Sequence, residues 1–214
     1  MNIIDKNNII LRKIMVEWIN NNFVEITGAI LAFIYLILEI KRKWPFWIVG
    51  IISSAFYVYI FFHARLYAEM GLNFYYILMC FYGLYCWKFS SKAGGDNYGF
   101  HRIDLKTTLV LFCFFIVLFT SAVIVLRRFT DSQVAIPDAL IAVLSIIATW
   151  MVAKKIVECW YIWIFVNIFA TGLYIHQKLY PTAILFIVYS ILSFVGLLEW
   201  QKSINKDDSA YTKF

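Results

Sequence analysis

Charge is the first thing this chain is short of. Only 15% of its 214 residues are charged, against about 25% in soluble domains. Hydrophobic residues make up 63%, with a mean hydropathy of +0.76, which excludes a water-soluble globular domain. Long polar stretches are missing too: after the N-terminal arm, Ser90–Asp104 and Ser203–Phe214 are the longest, and neither could bury a soluble catalytic core. The chain has no Walker loop, dinucleotide fingerprint, H-E-x-x-H or G-x-S-x-G. Its three histidines assemble no metal site by spacing. Cys80, Cys86, Cys113 and Cys159 contain no C-x-x-C pair and read as small buried hydrophobes. The composition therefore points away from an enzyme and calls for no cofactor or metal. The first twenty residues lack the plan of a signal peptide, because apolar and polar residues alternate and no small-residue cleavage site follows.

What the chain does have is long apolar runs. Runs near 24–40, 44–63, 66–88, 105–127, 135–154, 157–176 and 179–200 are each long enough to span a bilayer. The expectation is an all-α integral membrane protein of seven transmembrane helices. Residues 1–23 would form an interfacial segment, 89–104 a polar loop and 203–214 a tail. Leu109–Leu126, at the heart of the fourth run, is the most lipid-like, whereas the others carry Ser, Thr, Asn, Gly and Tyr. A net charge of +6 would suggest nucleic acid in a soluble chain. Here the Lys and Arg cluster between apolar runs, twelve on one side and seven on the other. The positive-inside bias then places the N-terminus outside and the C-terminus in the cytoplasm.

The chain also says nearly the same thing twice. His63-x-x-Leu66-Tyr67 returns as His176-x-x-Leu179-Tyr180, and Gly83-x-x-x-Trp87 as Gly196-x-x-x-Trp200, each 113 positions later. Glu25 and Asp138, Lys41-Arg42 and Lys154-Lys155, and Tyr76 and Tyr189 keep the same interval. Trp44-Pro45-Phe46-Trp47 echoes Trp160-Tyr161-Ile162-Trp163 at 116, a local shift of three that pairs Asn167 with Ile51. Two three-helix repeats (24–88 and 135–200) joined by a linker helix (105–127) give a 3+1+3 plan. Because the linker helix restores the direction of the second copy, the repeats run parallel. Carriers are built this way, with cargo held between the halves.

The polar and aromatic groups suggest which cargo. Trp163 precedes Asn167 by four residues, so indole and amide share one helix face. An amide at that depth needs a neighbouring helix or a ligand. Asn73, Tyr75 and Tyr76, Thr149 and Trp150, and Tyr189 could face the same space. Trp44, Trp87, Trp160 and Trp200 read as interfacial anchors, with Trp47 and Trp163 a turn further in. Such a lining suits a flat aromatic cation. Glu25, Glu39, Glu69, Asp138, Glu158 and Glu199 fall near span ends, within reach of water, so the substrate's own gradient is the expected driving force. Gly28, Gly50, Gly83, Gly172 and Gly196 are candidate points of close packing or bending, and His63 and His176 polar caps or gates at span ends.

Trp160-x-x-Trp163-x-x-x-Asn167, with Gly172-Leu173-Tyr174 and Leu179-Tyr180, resembles the signature of the bacterial PnuC vitamin transporters. The run Leu66 to Tyr76 followed by Tyr82-Gly83-x-x-x-Trp87 resembles it as well, and together these cover roughly residues 24–202. The resemblance implies the seven-helix 3+1+3 plan, distantly related to the SWEET fold, and a homotrimer in the bacterial inner membrane. It implies facilitated diffusion of nicotinamide riboside, trapped by a cytosolic kinase. Ligand contacts carry over onto Trp163 and Asn167, then Trp160 and Tyr189, with Asn73, Tyr76, Thr149 and Trp47 as further candidates. Asn73 departs from the Gln common in the family, which leaves the cargo open. Thiamine is the closest rival, because its thiazolium, like the pyridinium, is a flat cation that an aromatic cage fits. Riboflavin, deoxynucleosides or a non-transporting membrane role rank below it.

Overall fold

The computed structural model describes residues 27, 30–63, 67–88, 99–129, 134–176, 178 and 180–211. Seven helices run through these residues: α1 (Ile30–Ile40), α2 (Phe46–His63), α3 (Tyr67–Lys88), α4 (Leu105–Phe129), α5 (Ala135–Ala153), α6 (Cys159–His176) and α7 (Tyr180–Tyr211). The interfacial segment expected over 1–23 and most of the 89–104 loop lie outside the described residues, as does Gly28. Helices are what apolar runs of this length must form, since only internal hydrogen bonding satisfies a backbone removed from water. Four of the described helices are long and apolar enough to cross a membrane: α4, α5, α6 and the Ala183–Ile204 stretch of α7. α7 also runs on to Tyr211, where the sequence had suggested a tail from 203. Gln201–Tyr211 contains no proline or glycine to stop it.

The helix ends follow from local chemistry. α1 stops at a Schellman motif: Arg42 N–H donates to the Glu39 carbonyl at 2.9 Å and Lys43 N–H to that of Leu38 at 2.9 Å. Arg42 itself holds the left-handed φ of 57°. α5 ends identically, with Lys155 at φ 60°, its N–H on Val152 at 3.0 Å and Ile156 N–H on Met151 at 2.9 Å. α4 begins behind Asp104, whose carboxylate accepts from Thr107 N–H at 3.1 Å. Those Thr107 hydrogen bonds hold the Asp104 carboxyl below its ordinary range.

The turn bonds repeat at 113 residues throughout. Phe46 N–H to Lys43 and Trp47 N–H to Trp44 correspond to Cys159 N–H to Ile156 and Trp160 N–H to Val157. This corrects the three-residue shift suggested by the tryptophan echo. Trp47 corresponds to Trp160, not to Trp44's line, and the counterpart of Asn167 is Ser54 rather than Ile51. Packing decides the register. The Trp47 ring lies against Gly83 and the Trp160 ring against Gly196, so closely that a Cβ on Gly196 would stand 2.5 Å from the indole.

The core gathers where these turns meet. Trp87 Nε1 donates to the Val152 carbonyl at 3.1 Å, and Trp200 Nε1 to the Glu39 carbonyl at 3.2 Å. Each bond joins one three-helix segment to the other, and positions 87 and 200, like 39 and 152, differ by 113. Trp87 and Trp200 meet each other with ring centroids 6.0 Å apart. Phe100 stacks edge-on against both, at 5.7 and 4.6 Å. Its strand is tied to the α5–α6 turn by His101 N–H to Lys155, Val157 N–H to His101, and Ile103 N–H to the Glu158 carboxylate at 3.0 Å. The anchoring role expected of Trp87, Trp160 and Trp200 is therefore overturned: all three are buried, and of that set only Trp44 is exposed. α4 buries none of its residues and packs against α5 through Leu111, Phe115, Leu118 and Phe119.

Candidate functional site

Between the two three-helix segments lies a cavity of about 320 Å³, a volume within the range of small-molecule sites. Its wall is drawn from both segments in matched positions. Leu36 and Thr149, Gly50 and Trp163, Ser54 and Asn167, Tyr76 and Tyr189, and Cys80 and Ser193 all line it, and each pair is 113 apart. Position is shared across these pairs, but chemistry is shared in only one of them.

Six of the eight residues expected from the sequence reach this cavity: Trp163, Asn167, Tyr189, Asn73, Tyr76 and Thr149. Asn167 is buried, and its Nδ2 donates to Ser193 Oγ at 3.0 Å, which fixes the plane of the amide. Ser193 Oγ in turn donates to the Tyr189 carbonyl at 2.8 Å, so the pair rests on α7 backbone. Thr149 Oγ1 donates to the Ser145 carbonyl at 2.7 Å. Trp163 lines the cavity, and its Nε1, although shielded, has no hydrogen-bond partner among the described residues.

Trp47 and Trp160 do not reach the cavity. Both are fully buried against their glycines, and both indole nitrogens lack partners. Ring packing, not cargo, explains their recurrence. Tyr75 and Trp150 also turn away from the central space. They line a second cavity between α3, α4 and α5, where the Tyr75 hydroxyl donates to the Ile146 carbonyl at 3.2 Å. Of the glycines, Gly50, Gly83 and Gly196 are close-packing points, while Gly172 has open space around it.

Sequence reasoning missed several wall residues, chiefly Tyr35, Ser54, Cys80, Ser193 and Glu39. A single interval of 113 applied through the tryptophan motifs would have found Ser54 from Asn167. Glu39 needs a correction of its own. It had been placed at a span end within reach of water, yet it is 3% exposed and lines the cavity. The Trp200 indole caps the end of α1 by donating to the Glu39 backbone carbonyl at 3.2 Å.

Residues 22–202 match the family of nicotinamide mononucleotide transporters. The chain belongs to that family. This nicotinamide mononucleotide transporter family member is similar to the nicotinamide riboside transporter PnuC of Escherichia coli, at 21% identity over 88% of this chain and 89% of that one. It is also similar to PnuC of Neisseria mucosa, at 24% identity over 84% and 72%. Its fold matches the crystal structure of the vitamin B3 transporter PnuC with a TM-score of 0.71, at 21% identity, over 92% of this chain and 88% of that one. The chain is thus a multi-pass membrane transporter and not an enzyme.

Proposed function

We propose that this chain carries nicotinamide riboside across the bacterial inner membrane by facilitated diffusion. The observation that carries the reading is the central cavity, where one indole, four tyrosines and two amides surround a space drawn from both segments. Trp and Tyr faces attract a flat cation such as the pyridinium ring, and Asn167 and Asn73 suit a hydroxyl-bearing sugar. No Lys, Arg or His is among the described wall residues. A phosphate dianion would find no counter-charge there, so the riboside fits better than the mononucleotide of the family's name. Two curated relatives similar to this chain carry that riboside in their names.

The proposal includes the architecture. Seven spans form two parallel three-helix units, 24–88 and 135–200, about a twofold axis through the Trp87–Trp200 pair, with 105–127 as the linker. This 3+1+3 arrangement is supported by the matched turns, glycine contacts and indole bonds. The N-terminus lies outside and the C-terminus in the cytoplasm, since the richer set of basic residues shares the side of the tryptophan cluster. Rocking of the two units moves the cargo, three copies assemble as a homotrimer, and a cytosolic kinase traps the product. The deciding experiment is competition of nicotinamide riboside, thiamine, riboflavin and deoxynucleosides for the purified protein, followed by vesicle uptake. Trp163→Ala and Asn167→Leu should each weaken binding at least about tenfold in folded protein. Unchanged affinity in both would move the site elsewhere. Thiamine is the second reading, because its thiazolium is likewise a flat cation that the aromatic wall fits. Tighter binding of thiamine than of the riboside would establish it.

A further inference from the structure

Glu39 gives the cavity a chemistry that its aromatic walls do not. It is the only carboxyl among the described wall residues, 3% exposed, with Oε1 shielded and unpartnered. Its placement does not depend on the carboxyl, because the backbone carbonyl is held by Trp200 Nε1 at 3.2 Å and by Arg42 N–H at 2.9 Å. The titratable groups that face it are Tyr35 on α1, Cys80 on α3 and Cys159 at the start of α6. Tyr57, Tyr76 and Tyr189 complete the titratable wall. All of these are neutral acids near pH 7, and none can balance a carboxylate. The matched position in the second segment is Val152, so the carboxyl stands on one side only. A buried carboxylate without a cation is expensive, and a positively charged ring entering between Tyr76 and Trp163 would remove that expense.

We infer that Glu39 is the counter-charge for the cargo, selecting a cationic ring over an uncharged one of the same shape. This rests on the function proposed above and names the group that sets its selectivity. Charged pairs at buried sites discriminate strongly, because leaving one partner unpaired is costly.

The test compares each vitamin with an uncharged isostere, using the full-length protein in lipid nanodiscs. Nicotinamide riboside is paired with its reduced dihydropyridine form, and thiamine with the analogue whose thiazolium is replaced by thiophene. Wild type should favour the cation of the bound pair at least about tenfold. Glu39→Gln keeps the shape and the backbone bond to Trp200. It should bring the ratio close to one by weakening the cation alone, with Glu39→Asp in between. A Glu39→Gln protein that keeps the wild-type preference overturns the inference. So does wild type binding both members of a pair equally, a result that does not depend on how any variant folds. Binding of no vitamin at all would overturn the transport reading as well, so the two failures are distinguishable.

Discussion

At the turn after α1 and at the turn after α5, the same backbone bonds form at nearly the same lengths, and the tryptophan that follows each turn lies on a glycine of the last helix in its segment. Further into the bundle the two segments part company. Tyr35 and Gly50 stand in one where Ala148 and Trp163 stand in the other. The exchange conserves volume, since each side keeps one ring and one small residue, and swaps of that kind are tolerated best in a packed interior. In the first segment the ring comes from α1 and leans on Gly50, where a Cβ would meet Tyr35 at 2.9 Å and Cys80 Sγ at 2.7 Å. In the second the ring comes from α6 and carries an unpartnered indole nitrogen at the cavity. The scaffold can be symmetric because it serves the protein alone. A lining for a small molecule with no symmetry of its own gains nothing from two equal half-sites.

The largest expected effect tests the shared frame. Gly83→Ala and Gly196→Ala should each destabilise the protein by about 1–3 kcal/mol, read as a fall in thermal unfolding temperature in detergent. Gly172→Ala, with nothing within contact of the added carbon, should be neutral or stabilising. Loss of stability in only one of Gly83→Ala and Gly196→Ala would break the equivalence. The exchanged lining gives the next effect. Gly50→Ala alone should be destabilising, and Tyr35→Ala in the same chain should recover part of the loss, with a coupling of about 0.5–3 kcal/mol. Strict additivity would show that Tyr35 does not fill the place of Trp163.

Smaller effects sharpen the comparison at the axis. Trp87→Phe and Trp200→Phe each keep a ring and remove one bond between segments, so each should cost about 1 kcal/mol, with similar unfolding shifts for both. Smallest of all, Arg42→Gly and Lys155→Gly replace side chains held at positive φ. Each should raise stability by several tenths of a kcal/mol. At Lys155 the gain should be the smaller of the two, because the exchange also removes the ammonium that lies 5.4 Å over the Trp87 ring.

Much of this was legible in the sequence, and the limits have physical causes. Apolar runs located all seven helices to within a few residues at most ends, because length and hydropathy dominate in chains of this type. The pairing of Trp163 with Asn167 was legible because both lie on one helix face. Trp47 and Trp160 misled, since a recurring tryptophan looks the same whether it meets a ligand or a glycine, and only tertiary contact tells them apart. Glu39 misled for the opposite reason: four residues from Tyr35 and beside a basic cluster, it reads as a boundary, and its tertiary neighbours, among them Trp200 161 positions away on its backbone carbonyl, are not legible locally.

The two indole bonds that cross between segments also set a leverage. They sit beside the turns, at one extremity of the helices, and Phe100 is wedged there as well. α2 runs 18 residues away from this point, about 25 Å at 1.5 Å per residue. A tilt of about 10° around the tryptophans would leave the two bonds almost unstretched while parting the far helix ends by roughly 4 Å. Like a pair of tongs held at the joint, the proposed rocking would turn a motion too small to disturb the best-packed residues into an aperture at the opposite end.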